Sequence, residues 1–264
     1  MSKLTTALRK TGLLNIAHKL HFQWHRWRHR GRNNRFRGQH PSFTLPPDYM
    51  LYESYRLDYE HYYSDGRNTA EWVKSMLGKY ISTEGIHLLE WGCGPARIIR
   101  HLPAILPGSR IFGTDYNADT IAWCERNIQG VVFSRNGLLP PLHYADSHFD
   151  AVYAISVFTH LSKENHDAWL EEIYRVLRPS GIFLFTTQGE AFQVKLSGEE
   201  RQVFSEGEIV VRSYFNEGHR LFSSFQPEQF IKSLLKDNWE LLYHEQGKVE
   251  GDSPAQDVWV IRKQ

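Results

Sequence analysis

The chain has 264 residues, 41% of them hydrophobic and 23% charged, with a formal net charge of +1. That balance fits a globular protein with enough length for a full α/β core, and no run of 18 apolar residues offers a membrane-spanning helix. Cys93 and Cys124 are the only cysteines, so there is no disulfide framework and no CxxC metal site, and with no secretory pattern the expected setting is the reducing cytoplasm.

The small net charge conceals a split. Residues 1–47 hold ten Lys or Arg and no Asp or Glu, leaving 21 basic against 30 acidic residues in the remainder. The expectation is a basic N-terminal arm over 1–47 attached to an acidic body over 48–264. Leu4, Leu8, Leu13, Leu14, Ile16, Ala17, Leu20 and Phe22 interleave with Lys and Arg as in a basic, partly amphipathic helix. Trp24 and Trp27 follow among Arg26, Arg28, Arg30, Arg32, Arg35 and Arg37. Residues 1–40 would suit peripheral contact with an anionic membrane or a protein partner; a solvated leader is the plainer alternative. Nucleic acid fits less well, because the body is acidic and holds no recognisable RNA-binding module. His18, His21, His25 and His29 fall near one helical face, but no Cys or carboxylate joins them as a metal site requires.

Pro46-Pro47 marks the expected boundary between arm and body. Tyr52, Tyr55, Tyr59 and Tyr62 then recur at helical spacing as half-buried packing residues. Ser64-Asp65-Gly66-Arg67 reads as a turn into a helix from about Asn68 to Lys79. Ile86 to Trp91 is the first central strand, followed by a turn at Gly92 and Gly94. Pro95 suits the first turn of a helix that Ile98, Ile99 and Leu102 continue. Arg110 to Thr114 is a second strand ending at Asp115, and Asn117 caps a helix running to about Ile128. Val131 to Ser134 is a third strand, 136–148 a loop with Pro140-Pro141, and Phe149 to Val157 a nearly continuous apolar fourth strand suited to a covered parallel sheet. A helix from Ser162 or Lys163 to Leu177 ends at Pro179-Ser180-Gly181, and Ile182 to Thr187 is a fifth strand. This alternation predicts a doubly wound α/β sheet. Glu190 to Gln226 breaks it and reads as an insertion or cap. Pro227 to Lys236 is a helix, and Trp239 to Glu245 and Asp257 to Arg262 are late strands that form an antiparallel edge.

The ligand-suited residues gather where strands end: Gly92, Cys93 and Gly94; Asp115 and Tyr116; Asn136 and Gly137; Ser156 to His160. In an open parallel sheet these ends share one crevice. A carboxylate at Asp115 accepts from two ribose hydroxyls, and its distance from Gly94, about 20 residues, fits a nucleotide site. Glu90, two residues before Gly92, disfavours a pyrophosphate and favours an ammonium or sulfonium. S-adenosylmethionine carries such a cation beside an adenosine. After Gly94 come Pro95, Ala96 and Arg97, so the G-x-G-x-x-G pattern is incomplete; this counts against a nicotinamide-dependent oxidoreductase, and no Walker lysine supports a triphosphate. Cys93 has no visible paired base and packs as a small residue, and Asp150 orders the loop before the fourth strand.

With these motifs the sequence resembles the class I S-adenosylmethionine-dependent methyltransferases over about Tyr62 to Thr187. Leu88-Leu89-Glu90-Trp91-Gly92-Cys93-Gly94-Pro95-Ala96-Arg97 matches the first family motif, with Ala96 at the usual third Gly, and Gly113-Thr114-Asp115-Tyr116 matches the second. Leu142-His143-Tyr144-Ala145-Asp146-Ser147-His148-Phe149-Asp150 is similar to the LPF…D-x-S-F-D segment, with His143 replacing Pro. Arg175-Val176-Leu177-Arg178-Pro179-Ser180-Gly181 is similar to the Pro-Gly-Gly turn, with Ser180 replacing one Gly. The resemblance implies a Rossmann-like, mostly parallel seven-stranded sheet with an antiparallel C-terminal edge strand and helices on both faces. It also implies that Asp115 binds the cofactor ribose, that Tyr116, Asn136 and Gly137 lie near the adenine, and that Ser156 lines the methyl-transfer cleft. Tyr63 and Arg67 would help cover the cofactor, with Arg67 meeting the methionine carboxylate or else remaining a surface side chain. The expected activity is methyl transfer to a small-molecule, saccharide or lipid-linked acceptor, chosen by the cap through Phe192, Tyr214, Phe215, His219 and Phe222. His160 is either a general base for that acceptor or a structural histidine. A non-catalytic cofactor-binding or partner-binding module recruited through the basic arm is the alternative.

Overall fold

The computed structural model describes residues 13–55, 57–213, 216–219, 221–251 and 253–264, with side chains described from residue 19 onward apart from Glu250. The chain divides into two compact units, residues 1–66 and 67–264. Tyr214 and Phe215 lie outside the described residues.

The first unit is built on helix α1 (Leu13–Gln39), followed by α2 (Asp48–Ser54) and the start of α3 (Tyr59–Leu77). Phe36, Leu51, Tyr52, Leu57, Tyr59 and Tyr62 form its buried core, with Phe22, Phe43, Leu45, Tyr55 and Tyr63 packed against it. Asn33, only 6% exposed, fixes the break between α2 and α3: its Nδ2 donates to the Leu57 carbonyl and its Oδ1 accepts from the Tyr59 N–H. Asp58 caps α3 by accepting from the His61 N–H.

Two expectations change here. The unit runs on to Gly66 and does not end at Pro46-Pro47, because the tyrosine-rich segment packs against α1. Ser64 to Arg67 are helical, so α3 starts at Tyr59 instead of Asn68. Ser64 Oγ turns back onto the Glu60 carbonyl at 2.8 Å, and Asp65 accepts from the Tyr55 hydroxyl at 2.7 Å, so neither side chain starts a turn. Three of the four histidines are absorbed into packing: His21 Nδ1 lies 2.7 Å from the Tyr52 hydroxyl, His25 stacks on His29, and His29 faces Asp58; the His18 side chain lies outside the described residues. No metal-ligating cluster occurs among the described residues.

The second unit carries a seven-stranded sheet built from β1 (His87–Trp91), β2 (Arg110–Asp115), β3 (Val131–Arg135), β4 (Phe149–Ala154), β5 (Leu177–Thr187), β8 (Trp239–Glu245) and β11 (Asp257–Lys263). The strand order is β3-β2-β1-β4-β5-β11-β8. β1 to β5 pair in parallel, and β11 runs antiparallel to both β5 and β8 at that edge. Helices α5 (Ala118–Asn127) and α6 (Lys163–Val176) connect the strands. α5 is capped by Asn117, whose Oδ1 accepts from the Thr120 N–H. Trp91, Phe158, Trp169, Phe183, Phe185 and Trp259 anchor the main core.

The first crossover departs from expectation. A 3₁₀ turn (Ile99–His101) and a short helix α4 (Leu102–Ile105) replace a full helix from Pro95. Ala96 stands at φ 60°, outside helical space, and Pro103 restarts the helix without a donor. β4 ends at Ala154, since Ser156 turns left-handed at φ 61°. β5 begins at Leu177, with Pro179-Ser180-Gly181 as an irregularity inside the pairing with β4. Asp150 stabilises that corner, accepting from the His87 N–H and the Arg178 guanidinium.

The cap comprises a 3₁₀ segment (Glu190–Lys195), α7 (Gly198–Ser205), and strands β6 (Val210–Arg212) and β7 (Ser223–Phe225), which pair with each other. Its small core holds Ala191, Phe192, Leu196, Phe204, Val210 and Phe225. Helix α8 (Glu228–Leu234) follows, and the short strands β9 (Val249–Glu250) and β10 (Ser253–Pro254) pair between β8 and β11.

Candidate functional site

Parallel pairing brings the ends of β1, β2 and β3 level with one another. Trp91 is paired with Thr114 and Asp115 with Arg135, so Gly92, Asp115 and Asn136 follow as neighbours. The turn after β1 closes over β2: the Thr114 carbonyl accepts from the Gly92 and Cys93 N–H groups at 2.8 and 2.9 Å. The Gly94 N–H donates to Asp115 Oδ2 at 3.0 Å, while Asp115 Oδ1 accepts from the Asn117 N–H at 2.8 Å. The backbone carbonyl of Asp115 accepts from the Asn136 N–H. Gly92 and Gly94 both adopt positive φ, and a Cβ on Gly92 would stand 2.4 Å from Val157 Cγ2. Only glycine fits there without displacement.

Glu90 sits beneath this turn, 4% exposed. It is paired in register with Tyr153 of β4, whose hydroxyl donates to Glu90 Oε2 at 2.7 Å. Burial pushes the Glu90 carboxyl up to about 8, opposed by the Tyr153 hydroxyl, the Arg97 charge and the Ile99 N–H. Burial also raises Asp115, against three backbone donors, and lifts the Cys93 thiol well above its ordinary value. A buried neutral thiol is a packing group and not a nucleophile.

Asn136 is 6% exposed, with Nδ2 donating to the Gly137 carbonyl and Oδ1 buried without a hydrogen-bond partner among the described residues. Tyr116 reaches towards the cap, its hydroxyl donating to the Gly218 carbonyl at 3.0 Å. Gly218 packs close to that ring, since a Cβ there would be 3.2 Å from its Cε1 and Cζ. The Gly218 N–H donates to the His160 carbonyl, and His160 Nδ1 lies 2.7 Å from the Phe222 carbonyl. One cap segment is thereby tied to both Tyr116 and His160.

Ser156 joins a separate cluster at the ends of β4 and β5. Its N–H donates to Thr186 Oγ1, and both Ser156 Oγ and Thr186 Oγ1 donate to Gln256 Oε1, at 2.9 and 2.6 Å. Arg67 is exposed on α3. Tyr63 belongs to the first unit, where its ring packs with Phe36, His40 and Phe43. The structure thus gathers Glu90, Gly92, Cys93, Gly94, Asp115, Tyr116, Asn136 and Gly137 and sets Ser156 and His160 in other clusters of the same unit, while Tyr63 is described with the first unit and Arg67 stands exposed at the start of the second. Of the cap aromatics, Phe192 and Phe222 are buried, and His219 Nδ1 accepts from the Leu221 N–H. Tyr153, Thr186 and Gln256 were not foreseen from the sequence; only strand register brings them in.

This set suits an adenosine carrying a cation. Asp115 accepts from backbone donors on both oxygens and keeps lone-pair capacity toward a ribose. Asn136 Oδ1 is a buried acceptor with no donor among the described residues, and the glycine turn permits close backbone approach.

A family model described as a methyltransferase domain matches residues 89–185. The fatty-acid O-methyltransferase of Mycolicibacterium smegmatis is 38% identical over 105 residues, covering 39% of this chain and 37% of that protein. The malonyl-acyl-carrier-protein O-methyltransferase of Bacillus cereus is 28% identical over 167 residues, covering 60% of this chain and 61% of that one. The chain therefore spans less than two thirds of the length of either curated relative. The magnesium protoporphyrin IX methyltransferase of Synechocystis, solved with bound S-adenosylhomocysteine, shares the fold at a TM-score of 0.56 and 12% identity, over 91% of this chain and 98% of that one. Residues 89–185 thus match the methyltransferase-domain family, and the second unit shares its fold with solved S-adenosylmethionine-dependent methyltransferases.

Proposed function

We propose that this protein transfers a methyl group from S-adenosylmethionine to a small-molecule, saccharide or lipid-linked acceptor. The observation that carries the reading is Asp115, held by the Gly94 and Asn117 N–H groups beside the glycine turn beneath which Glu90 is buried. Asp115 accepts the two ribose hydroxyls; Tyr116, Asn136 and Gly137 receive the adenine. The Gly92, Cys93 and Gly94 backbone faces the amino-acid end, and Glu90 supplies the negative potential for its cationic groups. Arg67 pairs with the carboxylate, and Ser156 completes the surroundings. The cofactor supplies an activated methyl on a sulfonium, so the protein's share is orientation and exclusion of water.

His160 is the proposed base. With Nδ1 donating to the Phe222 carbonyl, Nε2 is the nitrogen that takes a proton from the acceptor. The names of the two curated relatives, a fatty-acid O-methyltransferase and a malonyl-acyl-carrier-protein O-methyltransferase, support an acyl acceptor with an oxygen nucleophile. The cap is the proposed selector, since its chain reaches both Tyr116 and His160. The proposed setting is the cytoplasm, with peripheral contact through the basic helix α1.

Calorimetry with S-adenosylmethionine, followed by methyl consumption across carboxylate, hydroxyl and amine acceptors, tests the reading. Saturable binding with turnover on one acceptor class is expected. Failure to bind the cofactor overturns it; binding without turnover across the panel replaces it with a cofactor-binding module.

A further inference from the structure

Helix α1 has two opposed apolar faces. Phe22, His25, His29, Asn33 and Phe36 recur at three- and four-residue steps and turn inward onto Tyr52, Leu57 and Tyr59. Leu20, Trp24 and Trp27 recur at the same steps but half a turn away, and they are 66%, 45% and 74% exposed. A helix whose packing needs are met on one side has no folding reason to carry two tryptophans on the other.

Charge says what this outer face meets. α1 carries Lys19, Arg26, Arg28, Arg30, Arg32, Arg35 and Arg37 and no acidic residue. Asp48 and Asp58 of the same unit engage Arg26, Arg32 and Arg37. Lys19, Arg28, Arg30 and Arg35 are exposed and flank the outer stripe. Arg28 lies over the Trp24 ring with its guanidinium 5.0 Å from the ring centroid. Long cations beside interfacial indoles on a single convex helix form a surface that lies flat at a charged apolar boundary: indoles and leucine enter the headgroup layer while the cations extend to phosphate. A nucleic acid would use the cations but gains less from Leu20.

We infer that α1 docks the protein onto an anionic lipid bilayer through Leu20, Trp24 and Trp27, flanked by Lys19, Arg28, Arg30 and Arg35. This deepens the peripheral contact proposed above and is independent of methyl transfer.

Co-sedimentation and tryptophan fluorescence of the full chain, using phosphatidylcholine vesicles with and without phosphatidylglycerol, test it. Wild type should bind the anionic vesicles with a blue shift and bind the neutral ones weakly. The triple variant Leu20→Ser, Trp24→Ser, Trp27→Ser and the quadruple variant Lys19→Gln, Arg28→Gln, Arg30→Gln, Arg35→Gln should each lose roughly tenfold or more in partitioning. Undiminished binding by the triple variant overturns the inference. So does binding that depends on the cations alone and is matched by a single-stranded oligonucleotide, which makes the surface a polyanion site. Calorimetric cofactor affinity and helical circular dichroism, measured on each variant, report folding and keep this outcome separate from failure of the methyl-transfer reading.

Discussion

Burial of Glu90 links cofactor binding to pH. Its carboxyl titrates near 8, so much of it is protonated at neutral pH, whereas a cationic ligand favours the ionised form. Affinity for S-adenosylmethionine is expected to rise from about pH 6.5 to about pH 9, with proton release on binding; calorimetry in buffers of different ionisation enthalpy reads both. Glu90→Gln should flatten the profile and weaken binding roughly tenfold at the alkaline end, and an unaltered profile in the variant would remove Glu90 from this role. His160 gives a second residue-scale test. A carboxylate acceptor is already ionised and needs no base, whereas a hydroxyl must lose its proton. His160→Gln should therefore lower kcat by roughly a hundredfold or more on a hydroxyl acceptor and by little on a carboxylate, read in parallel methylation assays. Equal losses on both would mark a positioning role through the Phe222 carbonyl. The sequence made Glu90, Gly92, Gly94 and Asp115 legible, because an acidic residue ahead of a glycine turn and a second at the next strand end form a local pattern. Tyr153 was not legible: it is 63 residues from Glu90, and only the register of β1 on β4 makes them partners.

Among the elements, the turn after β1 is the most constrained. Gly92→Ala would combine left-handed strain of about 1–2 kcal/mol with a contact against Val157 costing about 1–3 kcal/mol. Adding Val157→Ala should relieve the contact but not the strain, after allowing for the cavity that Val157→Ala opens by itself. Urea unfolding of the two single variants and the double variant checks this, and strictly additive losses would show that Val157 is not the obstacle. The strands were read well from sequence because buried parallel strands are short apolar runs bounded by Gly and Pro. The elements that moved were set by conformations a residue name does not declare. Ala96 and Ser156 are left-handed without being glycine, and they shorten the first crossover and β4. Ser64 and Asp65 look like turn formers but spend their side chains inside or beside a helix.

Across the whole molecule, two buried groups give stability a pH dependence of opposite sign. His166, fully buried, is lowered to about 4 by desolvation; the folded state resists a proton that the unfolded chain accepts, so stability is lost as pH falls from 6.5 through 4. Glu90 is raised from 4.5 to about 8. Its contribution is fully present below 4.5 and is lost as pH rises through 8. Above 6.5 only the Glu90 slope remains of the two, so Tm should decline from about pH 6.5 to about pH 8.5, at roughly 2–4 °C per kcal/mol lost. Glu90→Gln should reduce the decline, and saturating S-adenosylmethionine should offset it; differential scanning calorimetry follows both, and an equal decline in the variant would exclude Glu90 as its source. At this scale composition revealed a basic segment distinct from an acidic body. It could not reveal that tyrosines beyond Pro47 pack against that segment, because this contact is tertiary.

The placing of β11 carries a consequence for how the sheet comes apart. β8 joins the seven-stranded sheet only through β11, whereas β11 is also held by β5. β8 can therefore peel away alone, but any opening that detaches β11 from β5 also separates β8 from the rest of the sheet. Native-state amide exchange should show that asymmetry, with β8–β11 ladder amides exchanging through openings that leave the β11–β5 ladder protected.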